Sequence, residues 1–311
     1  MPSVDLALAS VKYGKANNVP VILDIRDLYP DVIVEAAPKS VKPFAHLATQ
    51  YMKSKVAEIC RDATAIWGNS DAFVEWGCRL GGRVRSKQDL TLPIAYKPLE
   101  IDQQETANIQ QKWKVDGLFR PEHLNIVFFG TLSKAFDFGP VIEVAKQLSI
   151  AESNHRFHIF GAGQQENYIA DRCASLGNCT FHGPVGAATL QAAMDLSDIG
   201  LAPYIFTDNF AANMPNKTTE YLGGGLMVGL AFKTGVLAEF LKKTGSGFFY
   251  ESAAELFQIL TELERSPERV QIGRQSASAA FEANLGYDTL SELMHNKIKT
   301  IVETNNVLVG S

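Results

Sequence analysis

Lys217 and Glu220 stand three residues apart in the stretch NMPNKTTEYLGGGLMVG, Asn213 to Gly229, just ahead of three consecutive glycines. Pro215 suits the first turn of a helix, where its missing N–H costs nothing, and Asn213 before it can cap the free donors. On that helix Lys217 and Glu220 share a face, with the lysine nearer the N-terminus. Free helix amides, here those of Asn216 to Thr218, and an adjacent lysine attract an anion such as phosphate. A carboxylate one turn further in repels phosphate but accepts both hydrogen bonds of a ribose diol. Diphosphate at Lys217 and ribose at Glu220 would make a nucleotide site. The same spacing also suits a plain surface ion pair.

Other stretches offer weaker chemistry. GTLSK at 130–134 sets Gly130, Thr131 and Lys134 at a strand end, where open α/β sheets bind ligands. GAG follows the apolar run RFHIF, so Gly161 and Gly163 can bring backbone close to a phosphate or base. A tight strand-to-helix turn uses the same glycines, and the third glycine and distal acid of a dinucleotide fingerprint are missing. DIRDLYPD carries Asp24, Arg26, Asp27 and Asp31 at another strand end. Asp27 is the candidate there for acid/base work, whereas an Asp and an Arg this close also suit mutual pairing. His158 reads as a core residue and His182 as a strand-end residue. No Ser/His/Asp or Cys/His arrangement and no G-x-S-x-G is present. Cys60, Cys78, Cys173 and Cys179 lack C-x-x-C spacing and nearby histidines, so reduced structural thiols and no metal site are expected.

The elements that must position these residues alternate between strand-like runs and amphipathic helical patterns, which argues for α/β architecture with parallel sheets. A chain of 311 residues can hold two domains. In the first third a helix at 3–16 precedes VPVILDI (19–25), a helix at 41–60 precedes TAIWGNS (64–70), and the run DLTLPI (89–94) follows. Residues 97–122 are polar and read as a linker. From Leu124 the rhythm is regular: LNIVFFG, helix 138–150, RFHIFGAG, helix 164–176, CTFHG, helix 187–196, DIGLAPY, helix 215–222, LMVGLAF, helix 235–243 and SGFFY. That is a nearly complete doubly wound domain of about six strands. The net charge of −5 and the absence of a basic run argue against nucleic acid as a partner. No run approaches the roughly 18 apolar residues of a membrane span, and no signal-peptide pattern opens the chain, so a cytoplasmic location is expected.

With these pieces in order, the chain resembles the family 4 glycosyltransferases of the GT-B fold, the type that assembles bacterial polysaccharide and O-antigen. DIRDLYPD resembles their D-x-R-D-L-W-P-[DE] segment, FFGTLSKAFD the first strand-turn of their nucleotide-sugar domain, and SDIGLAPY with NFAANMPNKTTEYLGGGLMV their longest shared stretch. The resemblance implies two Rossmann-like domains, an acceptor-side one over 1–97 and a nucleotide-sugar one over 98–285, with a helix at 286–311 crossing back to the first. It implies that Glu220 holds the ribose and Lys217 the diphosphate, alongside Gly130, Thr131, Lys134, Gly161, Gly163, Pro215 and Asn216, and that Asp27 orients the acceptor. The family's E-x7-E pattern places its first glutamate at Ala212, so that role would fall to Asp208 or Asn209. Thr131 and Phe136 stand where many members carry an arginine and a lysine. Members also have further strands and a glycine-rich loop ahead of the DIRD segment. By resemblance the N-terminal domain here is incomplete, its first strand VPVILDI is left with an unpaired edge, and transfer is weak.

The activity implied is retaining transfer of a sugar from a nucleoside-diphosphate sugar, UDP-linked, to a saccharide or lipid-linked saccharide in cell-surface polysaccharide synthesis. No metal or cofactor other than the donor substrate is implied, and peripheral association with the inner face of the membrane is an option. The alternatives are a non-catalytic nucleotide-sugar-binding partner and a GT-B nucleotide-sugar epimerase.

Overall fold

The computed structural model describes residues 3–98 and 100–309; Met1, Pro2, Leu99, Gly310 and Ser311, at or near the limits of the expected segments, lie outside the described residues. The first half runs α1 (Val4–Asn17), β1 (Ile22–Ile25), α2 (Asp31–Ala36), α3 (Lys42–Asp62), β2 (Ala65–Gly68), α4 (Asp71–Gly81) and β3 (Leu90–Thr91). The second runs α5 (Gln103–Val115), β4 (Leu124–Phe129), α6 (Gly139–Ile150), β5 (His155–Phe160), α7 (Glu166–Ala174), β6 (Cys179–Gly183), α8 (Ala187–Leu196), β7 (Ile199–Ala202), α9 (Asp208–Ala212), α10 (Asn216–Gly223), β8 (Met227–Leu230), α11 (Val236–Thr244), β9 (Gly247–Phe249), α12 (Ala253–Glu264) and α13 (Pro267–Asn284). A last helix, α14, spans Tyr287–Val309.

Both sheets are parallel. The first has three strands in the order β1-β2-β3, with Ile22 beside Ala65 and Trp67 beside Leu90. The second has six in the order β6-β5-β4-β7-β8-β9. The runs LNIVFF, apolar but for Asn125, and IGLA are buried along their whole length, as strands covered by helices on both faces require. The order reverses between β4 and β7, and at such a switch point the loops after two neighbouring strands diverge and leave a crevice. The turn carrying Gly130 and Thr131 opens onto that crevice.

Several elements differ from the sequence expectation. Residues 97–122 contain a full helix, α5, rather than a linker. Asp102 caps it, accepting from Gln104 N at 2.8 Å. Its buried face is too narrow to show as an apolar period: Gln110 donates to Asp195 of α8 at 2.7 Å, and Trp113 stacks on Phe119 at 5.0 Å. VPVILDI contributes only four strand residues; Leu23 and Ile25 enter the core while Asp24 is exposed, and among the described residues β1 pairs with β2 alone. The last helix does cross back: its Leu290 and Ile301 are buried against Ala65, Trp67 and Leu92 of the first half. Leu293 and Ile298 stay about two-fifths exposed, because they lie to either side of the face that Leu290 and Ile301 share three turns apart. No helix among the described residues is long and apolar enough to cross a membrane.

His158 lies buried in β5, its ring stacked on Phe119 at 3.7 Å and its Nδ1 3.2 Å from Nε2 of His182 on β6. His182 stacks in turn on Phe160 at 4.1 Å. Burial lowers both rings below the ordinary histidine value, His182 to about 4, and the two rings also repel each other's charge at His158. The unfolded chain takes up these protons near pH 6.5 and the folded chain does not. Stability is therefore full above about pH 6.5 and falls as pH drops toward 4, at up to about 1.4 kcal/mol per pH unit per histidine. Urea unfolding between pH 7.5 and 5 checks this: a His158→Phe/His182→Phe variant is expected to lose part of the acid-limb slope.

Candidate functional site between the two sheets

At the switch point a cavity of about 510 Å³ lies between the two halves. Arg26, Asp27 and Asn69 line it from the first half, and Gly130, Thr131, Pro215, Asn216, Lys217 and Glu220 from the second. Phe136, Tyr204 and Phe210 add an aromatic wall, the Tyr204 ring 4.9 Å from Phe136 and 4.6 Å from Phe210.

The helix bearing Lys217 starts one residue later than expected. Pro215 occupies the capping position and α10 begins at Asn216. Asn213 does not cap it: its side-chain oxygen accepts from Asn69 Nδ2 of the first half. Thr218 N and Oγ1 both donate to the Pro215 carbonyl, at 3.1 and 2.6 Å. The amides of Asn216 and Lys217 have no acceptor among the described residues, so two donors rather than three point from this helix end.

Lys217 and Glu220 do share a face, but they are not a surface ion pair. The Lys217 side chain turns to the end of β4, where Nζ donates to the Phe129 carbonyl and lies 4.3 Å from the ring centre of Phe128 and 5.4 Å from that of Phe136. Burial lowers its pKa to about 8, against the opposing pull of Glu220. Burial likewise raises the Glu220 carboxyl, with Lys217 acting the other way. The ammonium occupies the space a side chain at residue 130 would fill, since a Cβ built on Gly130 overlaps Nζ. Gly130 itself has φ +132, a conformation open to glycine.

Gly161 and Gly163 lie behind this turn rather than among the cavity-lining residues. Gly130 N donates to the Phe160 carbonyl at 3.1 Å and Leu132 N to the Ala162 carbonyl at 2.9 Å. The two loops approach so closely that a Cβ on Gly161 (φ +134) would overlap the Gly130 carbonyl. The GAG segment thus props the Gly130 turn from below. Lys134 is exposed and also outside the lining.

In the first half, Arg26 donates to Asp24 at 2.8 Å and to the Leu92 carbonyl at 3.0 Å, and Asp31 takes Lys53 at 2.8 Å and Trp76 Nε1 at 3.2 Å. Asp27 has none of these partners. It faces the cleft and accepts from Asn209 Nδ2 at 3.2 Å, while Asn209 Oδ1 accepts from Leu28 N at 2.9 Å. Ser70 Oγ donates to the Ala212 carbonyl and Asp208 N to Glu35, so the α9 segment is tied to the first half along its length. Asn209, not Asp208, is therefore the polar side chain that meets Asp27; Ala212 packs against the first core. Asn69 and Tyr204 escaped the sequence reading. Both stand just beyond a strand end, β2 and β7, which was the signal available. Among the described residues no cluster of His, Cys, Asp or Glu is placed to hold a metal.

Residues 123–265 match the family model described as glycosyl transferases group 1. The match falls within the second half of the chain. Among curated proteins none matches the sequence. Solved structures align along nearly the whole chain. HepE of Anabaena in complex with UDP superposes with a TM-score of 0.67 at 13% identity, over 96% of this chain and 77% of that one. Sucrose-phosphate synthase of Thermosynechococcus elongatus gives 0.69 at 12% over 96% and 72%, and WaaG, a glycosyltransferase involved in lipopolysaccharide biosynthesis, 0.63 at 12% over 92% and 79%. At this identity the likeness establishes the fold, which is GT-B.

The propping role of the GAG segment is testable. Gly161→Ala is expected to lower unfolding stability by about 1–3 kcal/mol or more, because residue 161 is held at positive φ against backbone. Gly177→Ala, where an added Cβ meets nothing within 4 Å, is expected to stay within about 0.5 kcal/mol. Urea midpoints of the two variants decide it.

Proposed function

We propose that the protein transfers a sugar, with retention at the anomeric carbon, from a UDP-linked donor to a saccharide or lipid-linked saccharide acceptor in cell-surface polysaccharide synthesis. The observation that carries this reading is the placement of Lys217 and Glu220 on one helix facing a cavity between two GT-B halves, beside a glycine turn with no side chain of its own. The HepE structures hold UDP, UDP with glucose, and UDP-glucose, which supports a nucleotide sugar as the donor class.

In this reading the donor diphosphate lies at the free amides of Asn216 and Lys217, above the Gly130–Thr131 turn, and Lys217 swings from the Phe129 carbonyl to meet it. An ammonium kept poorly solvated under aromatic rings gains more from a developing diphosphate charge than one in water does. Glu220 accepts the ribose hydroxyls. Asp27, held by Asn209, orients the acceptor hydroxyl across the cleft. No metal or further cofactor is assigned, and the reaction is placed in the cytoplasm at the inner membrane face. Among the described residues, Asp27 and Glu220 are the carboxylates that line the cavity, and no histidine joins them. That composition favours transfer over epimerisation, which needs acid/base groups converging on the sugar. A non-catalytic nucleotide-sugar-binding partner is the remaining alternative, and UDP release from UDP-sugars, with and without acceptor, separates the two.

Calorimetric titration of UDP tests the donor site. Glu220→Ala is expected to weaken UDP by about 1.5–3 kcal/mol, the worth of a charged hydrogen bond, that is, roughly ten- to a hundredfold. Unchanged affinity removes Glu220 from the site. The protonated lysine is the binding form, so affinity is expected to hold below about pH 8 and to fall as pH rises through it. Lys217→Met is expected to bind weakly with that pH dependence gone.

A further inference from the structure

Asn69 and Asn213 meet across the cleft, and both line the cavity. Asn69 stands one residue beyond β2 in the first half, and Asn213 lies between α9 and α10 in the second. Asn69 is almost wholly buried, at 2% exposed. The loop ahead of α10 holds its Nδ2, which donates to Asn213 Oδ1 and, at 3.5 Å, to the Met214 carbonyl. That fixes the amide and leaves Asn69 Oδ1 as a buried acceptor with no donor among the described residues. Asn213 is its counterpart: Asn69 takes its Oδ1, and its Nδ2 has no acceptor among the described residues. A pair whose only task was to latch the two halves would leave no polar atom over, because a buried acceptor without a donor is costly. An acceptor from one half and a donor from the other, both at one cavity, are the complement of hydroxyl groups.

We propose that Asn69 and Asn213 recognise the sugar carried by the donor, an uncharged hexose, through hydroxyls that donate to Asn69 Oδ1 and accept from Asn213 Nδ2. The direction of α10 supports this. With the ribose at Glu220 and the diphosphate at the amides of Asn216 and Lys217, the nucleotide runs toward the helix start, and what the second phosphate bears continues beyond it. Asn213 is the next cavity-lining residue ahead of Pro215, and Asn69 is bonded to it from the opposite half. Neither amide brings a charge to match a uronate. Each presents one donor or one acceptor, so a ring with its hydroxyl turned elsewhere leaves the buried Oδ1 unpaired and is rejected. This role rests on the donor reading and deepens it: Lys217 and Glu220 hold the part common to all UDP-sugars, and the asparagine pair tells the sugars apart.

Calorimetric titration of the full chain with UDP, UDP-glucose, UDP-galactose and UDP-N-acetylglucosamine tests the proposal. The quantity read is the affinity for each UDP-sugar relative to UDP, which cancels any loss in the nucleotide site. For the UDP-sugar that the wild type favours, Asn69→Ala and Asn213→Ala are each expected to lower this ratio about tenfold, with affinity for UDP itself kept within about twofold. Asn69→Gln, which keeps the amide but shifts it outward, is expected to change the order of preference among the UDP-sugars. Ratios and order that stay as in the wild type overturn the proposal, as does a wild type with no preference among the sugars. An equal loss for UDP and every UDP-sugar also overturns it and marks the pair as a latch between the halves. A wild type that binds neither UDP nor any UDP-sugar sinks the donor reading and the proposal with it, whereas UDP binding with unchanged ratios sinks the proposal alone.

Discussion

The ammonium of Lys217 sits where residue 130 has no side chain. That single close approach constrains much of the second half. It needs a glycine at 130, in a backbone conformation suited to glycine, and it needs the β4 turn held rigid so that the gap stays open. The turn is held because Gly161 lets the loop after β5 press against it backbone to backbone. The ammonium is then left with one carbonyl, the faces of Phe128 and Phe136, and the distant carboxylate of Glu220. This is a charge with its water largely removed and its partners incomplete, which is why its pKa falls and why an incoming anion would be welcome.

The second constraint is the α9 segment, which belongs in sequence to one half and in hydrogen bonding to the other. Asn69 with Asn213, Ser70 with Ala212, Asp27 and Leu28 with Asn209, and Glu35 with Asp208 form one continuous tie across the cleft. Together with α14, which returns from the second half to bury Leu290 and Ile301 against the first sheet, it fixes how Asp27 faces Lys217 and Glu220. Of these ties, Asn69 with Asn213, Ser70 with Ala212 and Leu28 with Asn209 are neutral hydrogen bonds worth about 1 kcal/mol each against water, whereas those to the Asp27 and Glu35 carboxylates are worth about 1.5–3 kcal/mol.

What was legible in the sequence was what local patterning controls. The six strands of the second sheet read as apolar runs bounded by glycine turns, and the lysine and glutamate of α10 read as sharing a face. What was hidden depended on distant partners. Asn213 has the right type and place to cap α10, yet a partner from residue 69 takes its side chain, a tertiary contact no local rule contains. Gly161 and Gly163 look alike whether a loop approaches a phosphate or another loop, and here they meet backbone. The α5 helix is mostly solvated, so only its Asp102 cap and Trp113 betray it. Phe136 shows the opposite case. Its place in the pattern of the resembling family is basic, and here the position instead turns an aromatic ring toward the Lys217 ammonium.

The central claim is that the cavity takes a nucleotide sugar with its diphosphate at Lys217 and its ribose at Glu220. A crystal structure of the chain soaked with UDP tests it most directly. The account predicts that Lys217 Nζ leaves the Phe129 carbonyl and lies within about 3.2 Å of a diphosphate oxygen, with both ribose hydroxyls within the same distance of the Glu220 carboxylate. UDP bound outside this cavity, or bound with its diphosphate away from the start of α10 while Lys217 stays on Phe129, would contradict it.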